Sequence, residues 1–427
     1  MSISPKGIIP GIAIAALLAA WLPVNTGNTV QTQLEQAITI NNQQENTFRV
    51  EILEYDKSLW SSELITRLTL NTPAESDNEA SYIDIRHFID HGFISAAFKS
   101  EVIITEEIRD TLKLTDDHRP PLRFDGEISS SAALINTYLD RVSFLPDSGD
   151  GSIVINPAMI RLNYDIEHND YQLDGSWNGA QLAAGQDNLN IKPLSLTVEG
   201  KQETDLLWKY QSQLRAEGFA FGNQNFSLNS ESIRVSDQFD IHRDNQGKDS
   251  IFYDSTLEFS HINASQNQLS LLDMSPATLS YNLSGPDIMA TESLIAASQR
   301  INSETMTQQD IDTLMPLFSE FIRLLKLDIY QINLVTQEGS IRGNLNMSLD
   351  ASQQDVMHAV SFPPLLLNIL VLDSDLTISK SLLGSMLPLQ ILATQLDQKD
   401  AYLETEDDMI VKTKMRDGQL TLNDVPF

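Results

Sequence analysis

Two histidines four residues apart, His87 and His91 in the run His-Phe-Ile-Asp-His, are the first residues whose type and spacing suggest chemistry. On a helix, an i, i+4 histidine pair can share one metal ion. The flanking Ile83, Ile85 and Ile89 alternate with the period of a strand instead. At about 3.3 Å per residue, a strand holds the two rings roughly 13 Å apart, too far for one ion. The pair therefore reads as structural histidines beside a turn at Gly92, and no metal is expected. Asp147-Ser148-Gly149-Asp150-Gly151 has the residue types of a calcium loop without its ligand spacing or closing glutamate. Glu404, Glu406, Asp407 and Asp408 read as the solvated entrance to a strand. Neither Gly-x-Ser-x-Gly nor a Gly-Lys-Ser/Thr phosphate loop occurs. No catalytic residue, no cofactor and no enzyme activity is expected.

Composition narrows the partners. The 427 residues carry 28 basic and 59 acidic side chains, a net charge of −31. Such a chain repels nucleic acid, so a polynucleotide partner is excluded. Cysteine is absent, which rules out disulfides and thiolate metal sites. Stability must come from burial, and the length is ample for that.

The segment Gly7–Val24 is eighteen residues without a charge, preceded by Lys6. As a helix it spans roughly 27 Å, close to the ~30 Å of a bilayer core. Trp21, Leu22, Pro23 and Val24 occupy the zone where a signal peptidase needs small residues. A retained signal-anchor is expected, with the positive end inside and the body exported. That leaves the N-terminus in the cytoplasm and exports the rest of the chain behind a single span.

The elements that follow are mainly strands. Val30–Asn42 reads as a short helix. Phe48–Leu70 reads as a hairpin turning near Asp56-Lys57-Ser58, with Leu64, Thr66, Leu68 and Leu70 on one face. Tyr82–Phe93 reads as a strand, and Glu101–His118 as partly helical. Asp125-Gly126, Asp174-Gly175, Glu199-Gly200 and Gln246-Gly247 have turn composition. Between them, alternation of apolar and polar residues predicts antiparallel strands with one wet face.

The last third repeats a strand–kinked helix–hairpin unit. In the first copy the strand is Thr278–Leu283 and the helix is capped by Thr307, kinked at Pro316 and extended to Leu327. In the second, Ser379 caps a helix with Pro388 inside it, and Asp417-Gly418 closes the hairpin. Both helices have surplus apolar residues off the main stripe: Leu317, Leu324 and Leu327 in one, Leu389 and Leu392 in the other. These five form a candidate apolar surface. The expected class is α+β, mainly β, in three parts: a signal-anchor over 1–28, a β-rich region over 29–275, and an α+β region over 276–427.

Several short motifs, taken in order, resemble the YdgA-like family of bacterial envelope proteins. Tyr55-Asp56-Lys57-Ser58-Leu59-Trp60-Ser61-Ser62 is similar to its Tyr-x-Arg-Gly-x-x-Ser-Ser hairpin, with Lys57-Ser58 in place of Arg-Gly. Asp90-His91-Gly92 is similar to its Asp-His-Gly-Pro motif, with Phe93 in place of proline. The closing Asp417-Gly418-Gln419-Leu420-Thr421-Leu422-Asn423 matches as well. The resemblance implies a membrane-anchored periplasmic β-rich body and supplies no catalytic residues. Three function classes follow: a non-enzymatic envelope factor that binds or supports other envelope components, a carrier or bridge for an apolar lipid along a β-sheet groove, and a periplasmic hydrolase. Membrane, envelope proteins and lipid are the expected partners.

Overall fold

The computed structural model describes residues 48–58, 60–70, 82–92, 95–106, 109, 120–145, 151–243, 249–267, 269–299, 307–350, 356, 359, 365–385, 394 and 403–426. The apolar stretch Gly7–Val24, the helix expected over 30–42, the Gln246-Gly247 turn and Pro388 lie outside them. So do Leu389, Leu392 and the aspartates of 147–150. Among the described residues, no helix is long and apolar enough to cross a membrane. The chain is mainly β and antiparallel, and it divides into two units, Met1–Glu199 and Gly200–Phe427.

In the first unit the alternation of apolar and polar residues gives six strands in sequence order. They are β1 (Phe48–Lys57), β2 (Ser61–Leu70), β3 (Tyr82–His91), β4 (Ser95–Ile103), β5 (Leu122–Ser129) and β6 (Ala132–Leu139). Each pairs antiparallel with the next. Their inward residues, among them Val50, Leu64, Ile85, Ile89, Phe98, Phe124 and Ile135, form one buried core. Asp125-Gly126 is part of β5 rather than a turn. Gly126 makes room there, because a Cβ on it would lie 2.7 Å from the Phe98 ring and 2.2 Å from the Leu134 carbonyl oxygen.

The unit continues through β7 (Val142–Phe144), β8 (Gly151–Ile155), β9 (Ala158–Asp165), β10 (Asp170–Trp177), β11 (Ala180–Ala184), β12 (Asp187–Ile191) and β13 (Leu194–Gln202). Asp174-Gly175 and Glu199-Gly200 again sit inside strands, β10 and β13, rather than at turns. A dipeptide turn signal fails wherever a long strand uses glycine on its face, since a pleated strand accepts it at modest cost.

These short strands are long ones broken at a common row. β6 and β7 are separated by Asp140-Arg141, β8 and β9 by Asn156-Pro157, β10 and β11 by Asn178-Gly179, and β12 and β13 by Lys192-Pro193. The pairing register is unchanged across the break: Leu139 opposes Ala158 and Val142 opposes Ile155, while Trp177 opposes Ala158 and Ala180 opposes Ile155. The Asn156 amide donates to the Gly179 carbonyl at 3.0 Å, the Asn178 amide to Pro157 at 2.9 Å, and the Trp177 indole to Asn156 at 3.2 Å. Neighbouring strands bending together at one row form a corner in the sheet.

The second unit opens with four longer strands, β14 (Trp208–Gly222), β15 (Phe226–Arg243), β16 (Asp249–Gln266) and β17 (Leu269–Asp287). Two helices follow, α1 (Ile288–Gln299) and α2 (Gln308–Leu324), then the hairpin of β18 (Lys326–Thr336) and β19 (Ser340–Leu349). A one-turn helix, α3 (Leu366–Ile369), precedes β20 (Leu370–Ser379), α4 (Lys380–Ser385), β21 (Leu403–Glu404), β22 (Asp408–Arg416), β23 (Gln419–Leu422) and β24 (Val425–Pro426). Thr307 caps α2 in the expected box with Asp310. The helix runs through Pro316 but stops at Leu324, because Leu325 is already extended. Leu327, expected on the helix, therefore belongs to β18. Asp417 and Gly418 both have positive φ, +51° and +71°, as the tight hairpin turn requires.

Candidate functional site

The candidate site is one face of the sheet in the second unit. Antiparallel pairing from β14 to β22 lines up rows of side chains across eight strands. One row is Leu214, Val235, Leu257, Leu279, Ile332, Gly343, Leu376 and Val411. The next is Ala216, Ile233, Phe259, Ala277, Leu334, Ile341, Ile378 and Met409. A third joins Tyr210, Phe239, Tyr253, Leu283, Leu327, Met347, Leu372 and Met415. The opposite face is polar, with pairs such as Arg234–Glu258 at 3.1 Å and Tyr330–Asp254 at 3.2 Å.

The two ends of these rows are packed differently. At the C-terminal end Ile378, Met409 and Val411 are buried in a small core with Leu422, Leu383 and Val425. Toward β14 the side chains are only half-buried: Leu214, Val235, Leu257, Leu279, Ile332 and Leu334 all keep part of their surface in water. Leu324 and Leu317 on α2, and Leu327 on β18, are half-buried too. α2 lies against β17 and β19, and α1 against β16 and β17.

The first four strands of this unit run unbroken but also change their alternation at a common row. Glu217-Gly218, Glu231-Ser232, Ser260-His261 and Ser275-Pro276 occupy corresponding places, since the pairings of β14 through β17 keep one register across this row. Across the row the apolar spacing jumps from two to three, as in Phe259 to Ile262 and Met274 to Ala277. Gly218 at φ +121° and Ser232 at φ +35° take backbone that ordinary strand residues avoid. Beyond the bend one cross-strand row holds Ser230, Ile262 and Met274, and another Leu228, Ala264 and Leu272.

One row of the face is partly polar: Ser212, Asp237, Ser255 and Tyr281 stand opposite one another, continuing to Ile329 and Leu345. Asp237 Oδ1 accepts from the Tyr253 hydroxyl at 3.0 Å and the Ser255 hydroxyl at 2.7 Å, and Oδ2 accepts from Ser212 at 3.2 Å. Burial, reinforced by the bonded Asp237 carboxylate, pushes the Tyr253 phenol up from its usual range. Tyr210 stacks on Phe239 with ring centres 6.0 Å apart, and Tyr253 tilts against Tyr281 at 6.1 Å.

The motif residues of the first unit meet elsewhere. Ser62 is buried, 4% exposed, and its hydroxyl lies 2.7 Å from His91 Nε2 and 3.2 Å from the Tyr55 hydroxyl. The His91 amide donates to the Trp60 carbonyl at 2.7 Å, and the Gly92 amide to Ser95 at 2.8 Å. Ser61 is hydrogen-bonded to Ser58 and stands opposite Asp90. With both sides of the Ser62 hydroxyl occupied inside the sheet, this serine–histidine contact clasps two turns together and offers no open nucleophile. His87, on the same strand, is enclosed between Thr66 and Ser100, each 2.8 Å from a ring nitrogen. Burial lowers its pKa to about 4, so the ring is neutral.

The sequence reading named Leu317, Leu324 and Leu327 but missed the sheet face, because each strand alone shows only alternation. It also missed Asp237, whose neighbours Ser212, Tyr253 and Ser255 come from the two strands on either side of it, β14 and β16. Lys380 holds Glu404 at 3.1 Å, and Asp408 accepts from Ser379 at 3.3 Å, so the acidic cluster borders β22. No curated protein and no solved structure matches the chain. The family model described as a bacterial protein of unknown function (DUF945) matches residues 6–427, and the chain belongs to that family.

Proposed function

We propose that this is a non-enzymatic envelope protein that binds lipid by laying its apolar chains along the half-buried sheet face of the second unit. The observation that carries the reading is the run of apolar rows across eight antiparallel strands, half-buried from Leu214 to Ile332. A face of this kind, larger than scattered surface leucines, marks an interaction site. Apolar burial yields roughly 0.8 kcal/mol per CH₂, so one acyl chain gains several kcal/mol there. The bend at Gly218 and Ser232 supports a lengthwise ligand, since cross-strand pairing continues on both sides of it and Leu228, Ala264 and Leu272 stand in one row beyond it. Gly7–Val24 after Lys6 supports a single inner-membrane span with the body in the periplasm, where lipids are at hand.

Native mass spectrometry of the full chain, extracted from membranes without delipidation, tests this reading. The expected result is one or more lipid masses retained on the protein, lost in Leu257→Asp while circular dichroism stays that of a β protein. A wild-type chain free of lipid overturns the proposal. A protein found in place of lipid returns the reading to an assembly or structural factor.

A further inference from the structure

Asp237 is out of place on an apolar face. Its neighbours along β15 are Val235 and Phe239, and its cross-strand neighbours are Ser212 and Ser255. Within the four rows it is the one charged side chain. Its hydrogen-bond partners are three neutral hydroxyls, and among the described residues no ion pair includes it. A carboxylate has about four lone-pair sites, so three neutral donors leave it room for one more and leave its charge uncompensated. A half-buried anion in apolar surroundings is costly unless a cation completes it. Around it stand Tyr210, Phe239, Tyr253 and Tyr281, in two ring pairs. Aromatic faces beside a carboxylate suit an ammonium group, which the rings attract and the carboxylate hydrogen-bonds.

We propose that Asp237, with the rings of Tyr210, Phe239, Tyr253 and Tyr281, is the headgroup subsite of the lipid face and takes the ammonium of an aminophospholipid. The inference rests on the lipid-binding reading and names which lipid fits it. Charge complementarity selects this occupant. Apolar chains match the leucine and isoleucine rows on either side, and the single anion between aromatic rings matches a single cation. An anionic phosphatidylglycerol headgroup meets repulsion at the same place.

The test equilibrates the full, lipid-stripped chain with vesicles of equal phosphatidylethanolamine and phosphatidylglycerol, then counts bound lipid by native mass spectrometry. The expected result is an enrichment of phosphatidylethanolamine on the order of tenfold, as ~1.4 kcal/mol of added interaction gives. In Asp237→Asn, nearly isosteric and still able to accept from Ser255, the ratio should fall to near one. N-acetylated phosphatidylethanolamine, which lacks the cation, should show no enrichment on the unaltered chain, a result that needs no variant to fold. Equal binding of the two lipids, or enrichment that survives Asp237→Asn or N-acetylation, overturns the headgroup subsite and leaves the lipid face standing. Absence of any bound lipid overturns both.

Discussion

The Ser62 hydroxyl lies 2.7 Å from His91 Nε2, joining the end of one hairpin turn to the end of the next strand. Tyr55 adds its hydroxyl to the same oxygen at 3.2 Å. Three residues from two separate motifs thus share one hydrogen-bonded point at the buried Ser62. Ser62→Ala leaves Tyr55 and His91 without that partner and should cost about 1–2 kcal/mol. Tyr55→Phe, which removes one bond only, should cost less. Urea unfolding followed by hydrogen exchange at the β1–β3 amides measures both, and an unchanged Ser62→Ala would show the contact to be incidental.

His87 makes stability depend on pH. Its pKa is about 4 when folded against 6.5 for the free side chain, because burial disfavours the charged ring. Below the unfolded value the unfolded chain takes up a proton that the folded chain refuses. The contribution is therefore full above pH 6.5 and is lost as pH falls toward 4, amounting to about 3 kcal/mol at the limit. Protection of the β2–β4 amides should fall through that window. In His87→Gln that component of the slope should be missing.

Two Asp-Gly pairs make opposite predictions. A Cβ at Gly126 would come within 2.2 Å of the Leu134 carbonyl and 2.7 Å of the Phe98 ring, whereas at Gly175 the nearest atom is 3.6 Å away on Leu196. Gly126→Ala should destabilise the first unit by about 1–3 kcal/mol through overpacking. Gly175→Ala should be neutral or slightly stabilising. Thermal unfolding of the pair tests the difference, and equal midpoints would contradict it.

The corner in the second unit depends on Gly218. At φ +121° a side chain is strained, and its Cβ would lie 2.0 Å from the Ser230 carbonyl oxygen. Gly218→Val should lower the thermal midpoint by several degrees, equivalent to about 2 kcal/mol or more. A larger residue at Ser260, exposed in the same row, should be tolerated. If both substitutions behave alike, the row is not a backbone-controlled bend.

Period-two alternation was enough to predict the antiparallel, mainly β class, the first hairpin and the Asp417-Gly418 turn. All of these are local: inward and outward residues alternate along a strand, and a positive-φ turn selects Asp-Gly. The capping box at Thr307 was legible for the same reason. The end of α2 was not. Leu325 continues the apolar stripe and Leu327 adds to the surplus beside it, yet extended pairing of Leu327 with Leu283 and Met347 takes over.

What the amino-acid order determined by itself was the alternation, the acidity and the uncharged stretch Gly7–Val24. What only the tertiary structure decided was which strands stand side by side. The jump in spacing from Phe259 to Ile262 looks like lost alternation when β16 is read alone. Beside Ser232 and Pro276 it becomes one row of a corner, because cross-strand register is set by pairing between segments far apart in sequence. Asp237 is the same case. In the sequence it is one acidic residue among many, and only the pairing of β14, β15 and β16 sets it between Ser212 and Ser255 on a face otherwise given to apolar chains.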